Sequence, residues 1–260
     1  ISACLVGSEM CIRDRTKPTG GKARLLYIKH DAKYLYVLSD RKLDSGSKLI
    51  IDKQNSFQVI KKTDQFYILK PSFPISKINS VLQKSGITPL PPYIKNSKLK
   101  GAKLLREYNT VFAKKLGSVA APTASLHFTP ALLKKIQAQG IKIYYVTLHV
   151  NLGTFAPLTE AQLKSGQLHS ECYQIPAATA KALSKAKKLR QPIIAVGTTV
   201  TRTLESAANS RGQLTKLYGE TRLFIQEHTK LKFVDQLITN FHVPKSSLLM
   251  LVSAFVGRKQ

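Results

Sequence analysis

The segment PIIAVGTTVTRTLESAA, residues 192–208, constrains the fold more than any other stretch. An apolar run stops at Gly197, Thr198 and Thr199 fill a turn, and a helix holding Arg202 and Glu205 begins at once. A strand that turns straight into a helix belongs to an α/β layer, because parallel strands need a crossover between them. The free N–H groups and positive dipole of such a helix start suit an anion, and the hydroxyls add donors. The same residues also make an ordinary threonine-capped turn.

Neighbouring segments repeat the design. IKIYYVTLHV, residues 141–150, reads as a strand ending near His149, followed by a loop with Asn151, Gly153 and Thr154. KFVDQLITN reads as a strand leading to Asn240 and His242, then Pro244, Lys245 and a serine-capped helix. RLFIQ reads as a further strand, and a basic helix over about 177–190 precedes PIIAVG. APTASLHFTPALL sets His127 just before a helix over about 130–139, with Thr129 as cap and Pro130 in the first turn. In QLHSECYQIP an extended backbone puts His169 and Glu171 on one face, as acid–base work or a plain surface pair would have it. Ligands in open α/β sheets bind outside the carboxyl ends of the strands, where His149 and Asn240 fall. A lone histidine there also serves well as a structural residue.

Residues 16–76 have another pattern. KARLLYIKH, KYLYVLSD, KLIID, SFQVIKK and QFYILK are short β-branched or aromatic runs separated by turn clusters such as DSGS. Their even spacing suggests a small antiparallel barrel or sandwich, serving as an RNA-binding module or a scaffold insert. A helix over ISKINSVLQKSG and an extended connector, ITPLPPYIK, follow.

Charge narrows the partners. Lys and Arg number 41 against 14 Asp and Glu, a formal net charge of +27. So large a surplus draws polyanions and points to RNA or DNA, although a solvated lysine-rich surface has the same composition. Cys4, Cys11 and Cys172 show no paired metal spacing, which fits a reduced, cytoplasmic setting. SLLMLVSAFVG, the longest apolar stretch, is too short to span a bilayer. There is no G-x-G fingerprint, G-K-[ST] phosphate loop or G-x-S-x-G elbow.

The first fifteen residues, ISACLVGSEMCIRDR, resemble a translated sequencing adapter that recurs at the ends of metagenomic gene models. They are expected to be non-native and to stand outside the fold. Both ends of the chain read as truncated.

Taken together, PLPPYIK, APTASLHFTPALL, VTLHVNLGTF, LHSECYQIP, AVGTTVTRTLESAA and LITNFHVPKSSLLMLVSAFVGR closely resemble one family, the S-adenosylmethionine:tRNA ribosyltransferase-isomerases of queuosine biosynthesis. The motifs run in family order over residues 17–258 or so. The resemblance implies a larger α/β domain with a mixed sheet, residues 77–260, and a small antiparallel β-barrel, residues 16–76. It implies a cytoplasmic enzyme, expected to be a monomer, that uses S-adenosylmethionine as co-substrate and no metal. The ribosyl part passes to 7-aminomethyl-7-deazaguanine at the wobble position of tRNA, giving epoxyqueuosine-tRNA, adenine and methionine.

Under that resemblance His127, His149 and His242 are the expected catalytic residues. Thr198, Thr199, Arg202 and Asn240 are expected to bind S-adenosylmethionine, with Arg202 or the helix start at Thr199 on its carboxylate. Lys181, Lys185, Lys187, Lys188 and Arg190 are expected to hold the tRNA backbone. The chain departs from the family at Ser125 and Asn151, where glycine is usual, and at Ala156, where arginine is usual. At Ser125 the departure predicts backbone strain. Two alternatives stand beside this reading: a non-catalytic tRNA- or RNA-binding protein, and an S-adenosylmethionine-dependent RNA methyltransferase.

Overall fold

A computed structural model describes residues 2–5, 11–16, 22–39, 41–63, 66–85, 103, 107–113, 122–149, 158–242 and 244–257. The chain divides into two compact units, Glu9–Tyr108 and a larger one made of Ile1–Ser8 with Asn109–Gln260. The smaller unit is wider than the expected span of 16–76.

Among the described residues, six strands build the smaller unit: β2 (Cys11–Thr16), β3 (Lys22–His30), β4 (Leu35–Ser39), β5 (Lys48–Ile50), β6 (Ser56–Lys62) and β7 (Tyr67–Pro71). They pair antiparallel in the order β2-β3-β4-β7-β6-β5, and Thr16 opposite Ile50 closes the sheet on itself. Alternate residues point inward, so Leu25, Leu35, Val37, Leu49, Phe57, Val59 and Leu69 meet in one core. Each such side chain contributes about 1.5–3 kcal/mol on burial. Register shifts in β2–β3, β3–β4 and β6–β7 add twist, which helps so small a sheet curl. A helix, α1 (Ile78–Ser85), adds Ile78 and Leu82 to the core from one face, four residues apart.

The larger unit is a mixed α/β fold. Its sheet holds β1 (Ser2–Leu5), β8 (Tyr144–His149), β9 (Gln167–Gln174), β10 (Ile194–Val196), β11 (Tyr218–Leu223) and β12 (Gln236–Ile238). The order is β11-β9-β8-β1-β10-β12. β8, β1, β10 and β12 pair parallel, while β9 pairs antiparallel with β8 and β11 pairs antiparallel with β9. Its helices are α2 (Pro130–Ala138), α3 (Glu160–Ser165), α4 (Ala177–Lys188), α5 (Thr198–Ala207) and α6 (Ser247–Val256). Among the described residues, no helix is long and apolar enough to cross a membrane.

The sheet is covered on both faces because neighbouring residues of a strand point oppositely. Val146, Leu148 and Ala195 pack with Ala180 and Leu183 of α4, Val200 and Leu204 of α5, and Phe233. Tyr145 and Val196 face the other way and meet Phe112, Ala124, Phe128, and Leu133 and Ile136 of α2.

Several expectations are corrected here. Residues 2–5 and 11–15, expected to stand outside the fold, supply β1 (Ser2–Leu5) and, with Thr16, β2 (Cys11–Thr16). β1 lies between β8 and β10, and without it the parallel strands would face each other unpaired. Strand pairing uses main-chain groups that any residue but proline supplies, so an unusual sequence is no bar to it. The strand expected at RLFIQ lies earlier, at Tyr218–Leu223, and KFVDQLITN keeps only Gln236–Ile238 as strand. The helix α3 was not foreseen; its signal is the capping box of Thr159 and Gln162.

Candidate active site

The carboxyl ends of four parallel strands share one edge of the sheet. β8 ends there at the half-buried His149. β10 ends at Val196, and the Gly197 N–H donates to the Ile238 carbonyl at 2.8 Å, tying this turn to the end of β12. Asn240 and His242 follow β12 directly. A 3-10 turn, Thr123–His127, packs Ala124 on Val196 and brings Pro122 against Gly197. Segments carrying His127, His149, Thr198, Thr199, Asn240 and His242 thus meet at or beside this edge.

Gly197 has φ 95°, a backbone that side chains with a Cβ rarely adopt. A Cβ there would also lie 3.3 Å from Thr199 Oγ1. The sharp turn sets α5 immediately after β10, with no side-chain cap on its first turn. The Val200 and Thr201 N–H groups donate to the Gly197 carbonyl, and the Thr198 and Thr199 amides before them lie at the positive dipole end as donors. Thr199 Oγ1 is buried and unpaired among the described residues. A buried hydroxyl without a partner costs about 1–3 kcal/mol, which a ligand acceptor would recover.

Arg202, one turn further along α5, is 4% exposed and turned into the protein. Its Nη1 donates to the Glu171 carboxylate and its Nε to the Leu223 carbonyl at 3.1 Å. The charge is therefore neutralised internally, and only Nη2 lacks a partner. Arg202 lines a cavity of about 10 Å³ with His169, Glu171, Ser247 and Leu251, room for about one water. His169 and Glu171 do share one face of β9, but Glu171 serves the arginine.

His242 Nε2 lies 3.0 Å from Thr239 Oγ1. Burial pushes its pKa below the ordinary histidine value, so the ring is neutral at neutral pH. His127 is exposed at the end of its turn. The Asn240 Oδ1 accepts the Phe241 N–H at 2.9 Å, so the amide NH₂ is the donor group of this side chain. Phe241 itself, 97% exposed, is the residue that sequence reading missed. Its only signal was a phenylalanine between two polar site candidates.

Ser125 does not carry the expected strain. Outside glycine, positive φ among the described residues occurs at Arg190 and Lys245. The burden at Ser125 is different: its hydroxyl is fully buried and unpaired among the described residues. Asn151, Gly153, Thr154 and Ala156 lie outside the described residues.

The basic residues are placed elsewhere. Lys181, Lys185 and Lys188 are exposed along α4, and Arg190 follows it. Lys187 instead pairs with Asp235 at 2.5 Å. Asp235 precedes β12 and its carboxylate accepts the Ile193 N–H just before β10. The last turn of α4 therefore lies at the amino edge of the parallel strands, opposite the histidines. Among the described residues no group of three or more His, Cys, Asp or Glu is arranged to hold a metal ion.

Residues 3–260 match the model of the family described as "Queuosine biosynthesis protein". A relative from Geobacter metallireducens is 44% identical over 215 residues, covering 82% of this chain and 62% of its own. Relatives from Vesicomyosocius okutanii and Thermotoga maritima are each 41% identical over 246 residues. They cover 94% and 93% of this chain, and 71% of each relative. All three are named S-adenosylmethionine:tRNA ribosyltransferase-isomerase. The chain thus spans 62–71% of the length of these relatives. A crystal structure of an S-adenosylmethionine tRNA ribosyltransferase from Thermotoga maritima aligns over 98% of this chain and 71% of its own, at 27% identity and TM-score 0.44.

Proposed function

This chain belongs to the queuosine biosynthesis protein family, and from that premise we propose that it moves the ribosyl part of S-adenosylmethionine onto tRNA. The acceptor is 7-aminomethyl-7-deazaguanine at the wobble position. The products are epoxyqueuosine-tRNA, adenine and methionine. The observation that carries this reading is the edge where Gly197, Thr199, Asn240 and His242 meet, in a chain 41–44% identical to enzymes of that name.

The site fits S-adenosylmethionine on two counts. The α5 start offers amide donors and the unpaired Thr199 hydroxyl to a carboxylate. The positive φ at Gly197 turns the chain straight from β10 into α5, which brings those donors to the end of the strand. Of the two residues considered for the methionine carboxylate, the geometry favours the helix start, because Arg202 is already paired with Glu171.

The co-substrate supplies a sulfonium that acidifies the adjoining ribose carbon. The chain must take that proton, protonate the departing adenine and keep the acceptor amine unprotonated. His242, held neutral by burial, is suited to take a proton. His127 and His149 are the remaining imidazoles at this edge for donation.

Each histidine is replaced by Gln and adenine release is followed with tRNA bearing the deazaguanine. His242→Gln is expected to lose at least about a hundredfold, the usual reach of acid–base catalysis. The acid limb of the wild-type rate should fall below the ordinary histidine range, because the group becomes inactive only on protonation. Near wild-type rates in all three variants would remove the histidines from catalysis. S-adenosylhomocysteine with methylated RNA would replace the reading with a methyltransferase. Tight RNA binding without turnover would favour a binding protein.

A further inference from the structure

Resting on that reading, we infer that Phe241 is a stacking platform for a nucleobase and that the Asn240 amide reads the edge of the same base. An aromatic ring 97% exposed on a braced turn contributes little to folding. The turn is braced on both sides. The Phe241 N–H donates to Asn240 Oδ1, Thr239 Oγ1 contacts His242 Nε2, and Ser246 caps α6 through the Leu249 N–H at 3.3 Å. The exposed ring thus belongs to a segment, Thr239–His242, that is tied to itself by the first two of these contacts.

Its surroundings select the ligand. Asn240 and His242 flank Phe241 in the sequence and the exposed Lys245 follows, so its near neighbours along the chain are polar or cationic. An apolar protein partner wants a contiguous patch of several hundred Å². A nucleobase wants this arrangement: a π face to stack on and a donor beside it for a ring nitrogen or carbonyl. The Asn240 NH₂, beside an Oδ1 held by the Phe241 N–H, supplies that donor. Two sources carry the chemistry, a base of the tRNA and the adenine of S-adenosylmethionine.

The test compares the full chain with Phe241→Ala, Phe241→Leu and Phe241→Trp. One arm titrates a short oligoribonucleotide carrying 2-aminopurine, whose fluorescence is quenched on stacking. The other measures S-adenosylmethionine binding by calorimetry. Ala and Leu are expected to weaken binding about tenfold or more in at least one arm, with Trp within about threefold of wild type, as base–aromatic stacking gives. Loss confined to the RNA arm assigns the base to tRNA, and loss confined to calorimetry assigns it to the adenosyl group. Unchanged binding by Phe241→Ala in both arms overturns the inference. So does wild-type affinity in Phe241→Leu, which keeps the apolar volume without the π face. A lowered thermal midpoint in Phe241→Ala would also overturn it, by showing that the ring packs. Persistent quenching in a chain that releases no adenine would sink the proposed reaction and leave the platform standing.

Discussion

At the scale of single residues, two buried hydroxyls have different consequences. Thr199 Oγ1 sits buried in the first turn of α5, the turn proposed for the methionine carboxylate. Ser125 Oγ sits inside a 3-10 turn against Pro122 and Ala124, fully buried, with the turn's backbone already bonded through Ser125 N–H to the Pro122 carbonyl at 2.7 Å. Its hydroxyl has lost water and has no partner among the described residues. Ser125→Ala should therefore stabilise the chain by about 1 kcal/mol, raising the thermal midpoint by roughly 2–4 °C for a unit of this size. Adenine release should be unaffected. A lower midpoint would show that the hydroxyl has a partner.

At the scale of elements, α5 is where structural and chemical roles divide along one helix. Its first turn faces the strand ends, and its middle and end fasten the helix inside. Arg202 holds Glu171 of β9, 31 residues away. Glu205 accepts backbone N–H groups from Lys232, Phe233 and Val234 at 2.7–2.9 Å, fixing the segment that leads into β12. Glu205→Ala would leave the buried amides of Phe233 and Val234 unpaired. The expected loss is about 3 kcal/mol or more, with Glu205→Gln losing less because one oxygen still accepts. Urea midpoints measure both. Equal stability of Glu205→Ala and wild type would mean that the segment does not depend on α5.

At the scale of the whole molecule, charge and sheet polarity meet. The exposed Lys181, Lys185 and Lys188 fall at i, i+4 and i+7 of α4, hence on one stripe. Their helix ends at the amino edge of the parallel strands, opposite the histidines. β10 is three residues long, about 10 Å, so a ligand as large as tRNA can reach both edges. Replacing the three lysines together by Ala should lower the slope of log binding constant against log salt by about 1 for each phosphate no longer neutralised. Lys187→Ala should change it little, since Asp235 already holds that charge. A salt response independent of the stripe would place the RNA elsewhere.

Much of this was legible locally. The strand-to-helix turn at Gly197, the Thr129 cap with Pro130 and the Ser246 cap depend on neighbours within four residues. Dihedral preference and capping chemistry therefore wrote them into the sequence. The mixed α/β character followed from the same alternation of strands and helices, and the family motifs named the reaction to be tested. What required the tertiary structure depends on residues far apart along the chain. Arg202 reads as a ligand anchor until Glu171 arrives from another strand. Lys187 reads as free charge until Asp235 arrives from 48 residues away. Ser2–Leu5 reads as excess until the gap between β8 and β10 needs a strand. The alternation of an isolated segment tells which face is buried but not what covers it, so partners, burial of charge and the exposure of Phe241 were decided only when the chain closed on itself.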